Sequence, residues 1–138
     1  MLYIVEDDPD FAALLKEVSK KVLPDVEVFL HSPDFLHKQL TFNDIVILDI
    51  KMPKMDGVEI LRALAANNCL AKLILISGFD SSVLHSTAML AQQLGLQVIA
   101  QITKPIDPNK IISILTSLLE EKDSNITEIA NSVYSFFR

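Results

Sequence analysis

Cysteine occurs once in this sequence, at Cys69, and glycine only three times. One cysteine cannot close an internal disulfide, which excludes a disulfide-framed secreted domain and makes a reducing compartment the natural home. Positive charge is short as well: 12 Lys and Arg stand against 18 Asp and Glu, for a net charge of −6 and a pI near 4.9. That balance argues against a nucleic-acid surface, which needs clustered basic residues to meet phosphates. No window approaches the roughly 18 consecutive apolar residues of a membrane span. The start Met1-Leu2-Tyr3-Ile4-Val5 runs straight into Glu6-Asp7-Asp8, without the basic leader of a signal peptide. The expectation is a soluble, cytoplasmic chain. What is plentiful is apolar: half the residues are hydrophobic and mean hydropathy is +0.35, too much for a disordered tail. A length of 138 residues fits one ordinary domain with a real core.

Five short runs rich in Ile, Val and Leu recur along the chain, at Leu2–Val5, Val26–Leu30, Ile45–Leu48, Leu73–Ile76 and Gln97–Ile102. The third and fourth are continuous rather than alternating, as central parallel strands covered on both faces should be. Between them lie helical patterns, with Phe11, Leu14, Leu15, Val18 and Val22 on one face of the first and Ile111, Leu115, Leu118 and Leu119 on the last. Asp8-Pro9, Ser32-Pro33 and Asp107-Pro108 each place a capping oxygen before a proline, a helix-start signal, and Pro24 closes the first helix. The order is β-α five times over. Right-handed crossovers turn that into an α/β, flavodoxin-like doubly wound parallel sheet of strand order 2-1-3-4-5 with five helices. Residues 1–120 make this domain. Glu120–Ser124 reads as a linker, and a capping box at Asn125–Glu128 opens a short C-terminal helix within 121–138, with Ile126, Ile129, Val133 and Phe137 on one side.

In such a sheet the functional crevice lies outside the carboxyl ends of the strands. There the sequence puts Glu6 and Asp7 after strand 1, Asp49 at the end of strand 3, Ser77 after strand 4 and Lys104 after strand 5. Asp8 is left as the cap of the first helix. Two carboxylates about 4 Å apart repel by roughly 4 kcal/mol at an effective dielectric near 20. A hard divalent cation resolves that conflict, and Mg2+ suits one or two carboxylates together with waters and a phosphate oxygen. Lys104 adds a compact positive charge and Ser77 a hydroxyl, both suited to orienting phosphoryl oxygens. The chemistry implied is phosphoryl transfer onto a carboxylate. His31, His37 and His85 have no partners at metal-ligand spacing, the latter two within helices, and Cys69 near a helix end reads as a packed thiol.

The motifs Ile-Val-Glu-Asp-Asp at 4–8, Ile-Val-Ile-Leu-Asp-Ile-Lys-Met-Pro-Lys-Met-Asp-Gly at 45–57, Ile-Ser-Gly at 76–78 and Thr-Lys-Pro at 103–105 resemble the receiver domains of two-component response regulators. The resemblance implies that Asp49 accepts a phosphoryl group from the phosphohistidine of a sensor kinase or phosphotransfer protein. It implies Mg2+ ligation by Asp7, Asp49 and the Lys51 carbonyl, with Glu6 acting through water. Ser77 and Lys104 would bind the phosphoryl group, and the Lys104–Pro105 bond would be cis. Such a domain switches an output domain or partner protein and is not an enzyme in its own right. Lys51 and Phe79 would flank the water that hydrolyses the acyl phosphate.

Three features depart from the family. Gln101 stands where a switch aromatic is usual. The Ser77-to-Lys104 interval is long, and its second half, 86–105, resembles receivers fused to cyclic-di-GMP phosphodiesterase domains of the EAL type. The terminal helix is too short for an output domain, so the expectation is either a fragment or a stand-alone regulator, with that helix docked on the domain or paired in a homodimer. A pseudo-receiver, an interaction module without phosphotransfer, is the alternative that Gln101 leaves open. A dehalogenase-type phosphatase would need a second Asp where Lys51 stands. A flavodoxin would need a first loop that cradles phosphate, and Glu6-Asp7-Asp8 would repel one.

Overall fold

The computed structural model of the chain describes residues 1–50, 57–78 and 81–121. Alternation of β and α elements is complete. The order is β1 (Leu2–Val5), α1 (Pro9–Ser19), β2 (Val26–Phe29), α2 (Ser32–Phe35), β3 (Ile45–Asp49), α3 (Gly57–Ala66), β4 (Lys72–Ser77), α4 (Ser81–Gln93) and β5 (Gln97–Thr103), followed by α5 over 108–121. The five strands are parallel in the order β2-β1-β3-β4-β5, as the run pattern and crossover rule predict.

Why the central strands read as continuous apolar runs is visible in where successive side chains go. Leu2, Ile4, Ile45, Ile47, Ile74 and Ile76 face one layer, where Leu15 and Val18 of α1 and Ile111 and Leu115 of α5 close over them. Tyr3, Val5, Val46, Leu48, Leu73 and Leu75 face the other, against Phe35, Ile60, Leu61, Leu84 and Ala88. Period-two alternation thus serves two cores at once. The edge strand β2 is half-buried throughout, and β5 has half-buried Val98, Ile99 and Ala100 between exposed Gln97 and Gln101, followed by buried Ile102.

Two of the three Pro-marked starts form as read. The Asp8 carboxylate accepts from the Asp10 and Phe11 amides at 3.0 and 3.3 Å, with Pro9 at the first helical position. Asp107 accepts from the Asn109 amide at 2.9 Å. The third is shifted by one residue. Ser32 lies inside α2, His31 holds the cap position without a side-chain bond, and Pro33 falls on the second helical residue, where the N–H that proline lacks would have no helical partner in any case. The helix then stops after one turn, once Phe35 has placed its ring 5.6 Å from that of Phe29 and 6.1 Å from that of Tyr3.

Other details differ from the sequence pattern. Leu14 is exposed, because Leu15 and Val18 fill the inward stripe of α1 and leave it on the flank. That helix ends at Ser19, and Lys20–Leu23 turn back onto it well before Pro24. His37 lies in the turn after α2 rather than in a helix; it, His31 and His85 are all exposed. Cys69 is packed in the second core as expected, and burial pushes its thiol pKa up. The linker expected from Glu120 does not begin there, since Glu120 and Glu121 continue α5; the rest of it and the C-terminal helix lie outside the described residues.

One close approach positions the end of β3. A Cβ added to Gly57 would sit 2.6 Å from Ile50 Cα and 2.7 Å from its carbonyl oxygen, so the start of α3 can rest on Ile50 only without a side chain. The Gly57 amide donates to that same carbonyl at 2.9 Å.

Candidate functional site

Strand register brings the expected residues to one edge of the sheet. Val5 pairs with Leu48 and Asp49 with Ile76, so Glu6, Asp49 and Ser77 leave neighbouring strands at similar heights. The Lys104 amide donates to the Ser77 carbonyl at 2.8 Å, which holds the turn after β5 against the end of β4. The Lys104–Pro105 peptide bond is cis.

Carboxylate oxygens of Glu6, Asp7 and Asp49 all lie within 4.8 Å of one another. Glu6 and Asp49 are buried, Asp7 half-buried. The Lys104 ammonium bridges the group, 3.1 Å from Asp49 Oδ2 and 3.5 Å from Glu6 Oε2. Glu6 Oε1 also accepts from the Asp8 amide at 3.2 Å. Burial, then the hydrogen bond and charge of Asp49, push the Glu6 carboxyl up to about 8, although the Asp8 amide and Lys104 oppose this. Burial works against the Lys104 ammonium, but Asp49 and Glu6 outweigh it and raise its pKa.

These values state the physics of the site. Among the described residues three acidic groups share one corner with the Lys104 ammonium, and the cheapest relief without a metal is for Glu6 to keep its proton. The donor set is oxygen only, close enough to converge on one small ion, and it fits a hard divalent cation. Neutral Glu6 is the form such an ion would displace.

Lys51 and Phe79, expected at the mouth of the site, lie outside the described residues. Gln101 is exposed on the edge strand β5, paired in register with Leu75. Sequence reading missed one neighbour: the Phe11 ring, whose centroid lies 4.4 Å from Lys104 Nζ. In the sequence Phe11 reads only as part of the apolar stripe of α1. No local pattern signals a contact between residues so far apart in the chain.

Comparison with known proteins decides the family. The family described as "Response regulator receiver domain" matches residues 2–132. The chain belongs to it. A solved response regulator from Colwellia psychrerythraea is 46% identical and superposes with a TM-score of 0.82, over 87% of this receiver and 96% of that chain. The chemotaxis protein CheY of Treponema pallidum is 35% identical over 77 residues, 56% of this chain and 50% of that protein. The cyclic di-GMP phosphodiesterase RocR of Pseudomonas aeruginosa is 27% identical over 118 residues, 82% of this chain and 30% of that protein. The receiver thus spans half or less of the length of these curated relatives. Among the described residues no helix is long and apolar enough to cross a membrane.

Proposed function

We propose that this receiver takes a phosphoryl group onto Asp49 with the help of Mg2+, and that the resulting change switches an output partner. The observation that carries the reading is the buried Asp49, with Lys104 Nζ at 3.1 Å and the Glu6 and Asp7 oxygens beside it. An Asp49 oxygen attacks phosphorus in line, the P–N bond of a donor phosphohistidine breaks, and the departing imidazole keeps the electron pair and gains a proton. Lys104 stabilises charge on the transferring oxygens, and Ser77, at the end of the adjacent strand, supplies a hydroxyl to one of them. Asp7, Asp49 and the Lys51 carbonyl, with Glu6 through water, would hold Mg2+, which would supply charge neutralisation for the phosphoryl and carboxylate oxygens.

The donor in this reading is a sensor histidine kinase or a phosphotransfer protein, and the compartment is the cytoplasm. Similarity to a cyclic-di-GMP phosphodiesterase supports that activity as the output, carried by another domain or a partner protein beyond a receiver boundary near residue 120. Exposed Gln101 on β5 favours one second reading, an interaction module that does not take up phosphate. Intact mass after incubation with acetyl phosphate and Mg2+ separates the two. One phosphoryl adduct is expected, absent from Asp49→Asn and absent with EDTA. No adduct on the unmodified chain would leave the interaction module; an adduct persisting in Asp49→Asn would overturn the acceptor assignment.

A further inference from the structure

The Asp8 cap determines where Phe11 goes. With Asp8 at the cap and Pro9 first in the helix, Phe11 takes the third helical position, its amide bonded to the Asp8 carboxylate at 3.3 Å. Its ring packs against the core layer shared by α1 and α5 and presents a face to Lys104 Nζ, 4.4 Å from the centroid. The Lys104 backbone is held separately, by its amide on the Ser77 carbonyl. Four rotatable bonds lie between that anchor and the ammonium, and the side chain is 27% exposed. Three groups therefore keep the ammonium in the site: Asp49 Oδ2, Glu6 Oε2 and the Phe11 face.

Two of these are spoken for once the site works as proposed above, a reading on which this inference rests. Glu6 and Asp49 would be engaged by the cation, and on acyl phosphate formation the Asp49 oxygen is taken into the new bond while the negative charge resides on the phosphoryl oxygens. The ring takes part in neither. It attracts the ammonium through its quadrupole without accepting a conventional hydrogen bond, so the three N–H donors of Lys104 remain free for phosphoryl oxygens. A carboxylate or amide at position 11 would compete for those donors, and an aliphatic side chain would fill the space without attraction. We propose that Phe11 is a positioning residue that holds the Lys104 ammonium at the site while its carboxylate partners are engaged by metal and phosphoryl group.

The test uses the full chain and has two arms. In the first, the ε-methylene protons of Lys104 are followed by NMR as Mg2+ is added. The ring current should shift them upfield without metal, the shift should persist at saturating Mg2+, and Phe11→Leu should remove it. In the second, phosphorylation by acetyl phosphate is timed at saturating Mg2+. Phe11→Leu should slow it about two- to fivefold, the range of a partly exposed cation–π contact, with little change in melting temperature, and Phe11→Tyr should restore most of the rate. Stepwise fluorination of the Phe11 ring, which weakens the quadrupole at nearly constant size, should slow the reaction in proportion. In a Lys104→Met background the Phe11→Leu change should have no further effect. Collapse of the upfield shift on adding Mg2+, rates insensitive to fluorination, or an undiminished Phe11→Leu effect in Lys104→Met would each overturn the proposal. If the unmodified chain takes up no phosphoryl group, the phosphotransfer reading fails, and the NMR arm alone decides whether the ring retains the ammonium.

Discussion

Asp44 and Asp49 stand at opposite ends of β3, both buried, and they live in opposite electrostatic worlds. Asp44, just before the strand, accepts from the Thr41 amide at 2.8 Å and the Thr41 hydroxyl at 3.2 Å, and its other oxygen lies 3.5 Å from the Met1 ammonium. Among the described residues it belongs to no cluster of acids that could hold a metal ion. Asp49 shares its corner with Glu6 and Asp7, with the Lys104 ammonium at 3.1 Å. The first carboxylate ties a loop to the sheet, and the second leaves a conflict for a ligand to relieve. A buried acid is thus not a functional signal by itself; what distinguishes the two is that other carboxylates converge on Asp49.

The largest expected consequence of that difference is a pH dependence. In metal-free protein the Glu6 carboxyl keeps its proton to about pH 8, against an ordinary value of 4.5. Between those values the folded state holds a proton that the unfolded state has released. The resulting stability is fully present below about 4.5 and is lost as pH rises through about 8. The melting temperature in EDTA should therefore fall from about pH 5 to about pH 9, and Glu6→Gln should flatten the fall. Mg2+ affinity should rise over the same range, since the ion displaces that proton. A wild-type profile no steeper than that of Glu6→Gln would remove the crowded-corner description.

Substitution at the two ends of β3 should move stability in opposite directions. Asp44→Ala strands the Thr41 donors and should cost about 1–3 kcal/mol in urea denaturation. Asp49→Asn in EDTA at about pH 8 should instead gain on the order of 1 kcal/mol, by relieving like charges in a partly buried site. Destabilisation by both would erase the contrast. The smallest effect is expected at Gln101, exposed on β5. Gln101→Ala should change stability by less than about 0.5 kcal/mol and leave partner binding or dimerisation nearly unchanged, whereas Ser77→Ala should uncouple either from phosphorylation. The reverse pattern, with dimerisation read by light scattering, would place the output route on Gln101.

Much of this arrangement was legible in the sequence. The strands announce themselves because β1, β3 and β4 are buried on both faces, which demands apolar residues at every position. Strand ends then fix where Glu6, Asp7, Asp49, Ser77 and Lys104 must emerge, and parallel pairing does the rest. The unread parts depend on relations between elements. Which of two adjacent leucines in α1 faces inward follows from how the helix lies on the sheet, and Leu14 proved to be the outer one. The single turn of α2 follows from Phe35 reaching a ring cluster assembled from β1 and β2. The raised Glu6 pKa needs both its burial and the nearness of Asp49, neither of which is a property of residues 4–8 alone.

The glycine that opens α3 has a mechanical consequence. Ile50, next to Asp49, donates its amide to the Ile76 carbonyl at 3.0 Å and accepts from the Gly57 amide at 2.9 Å, while the missing side chain of Gly57 lets α3 sit directly on it. The backbone behind Asp49 is clamped to a strand on one side and a helix on the other. It behaves as an anvil: a load applied to the Asp49 side chain meets a support that does not recoil, so displacement is transmitted to whatever touches the loaded oxygens. Any side chain at position 57 would pry that clamp open by wedging the helix off its seat, and a push on Asp49 would then be absorbed where it was delivered.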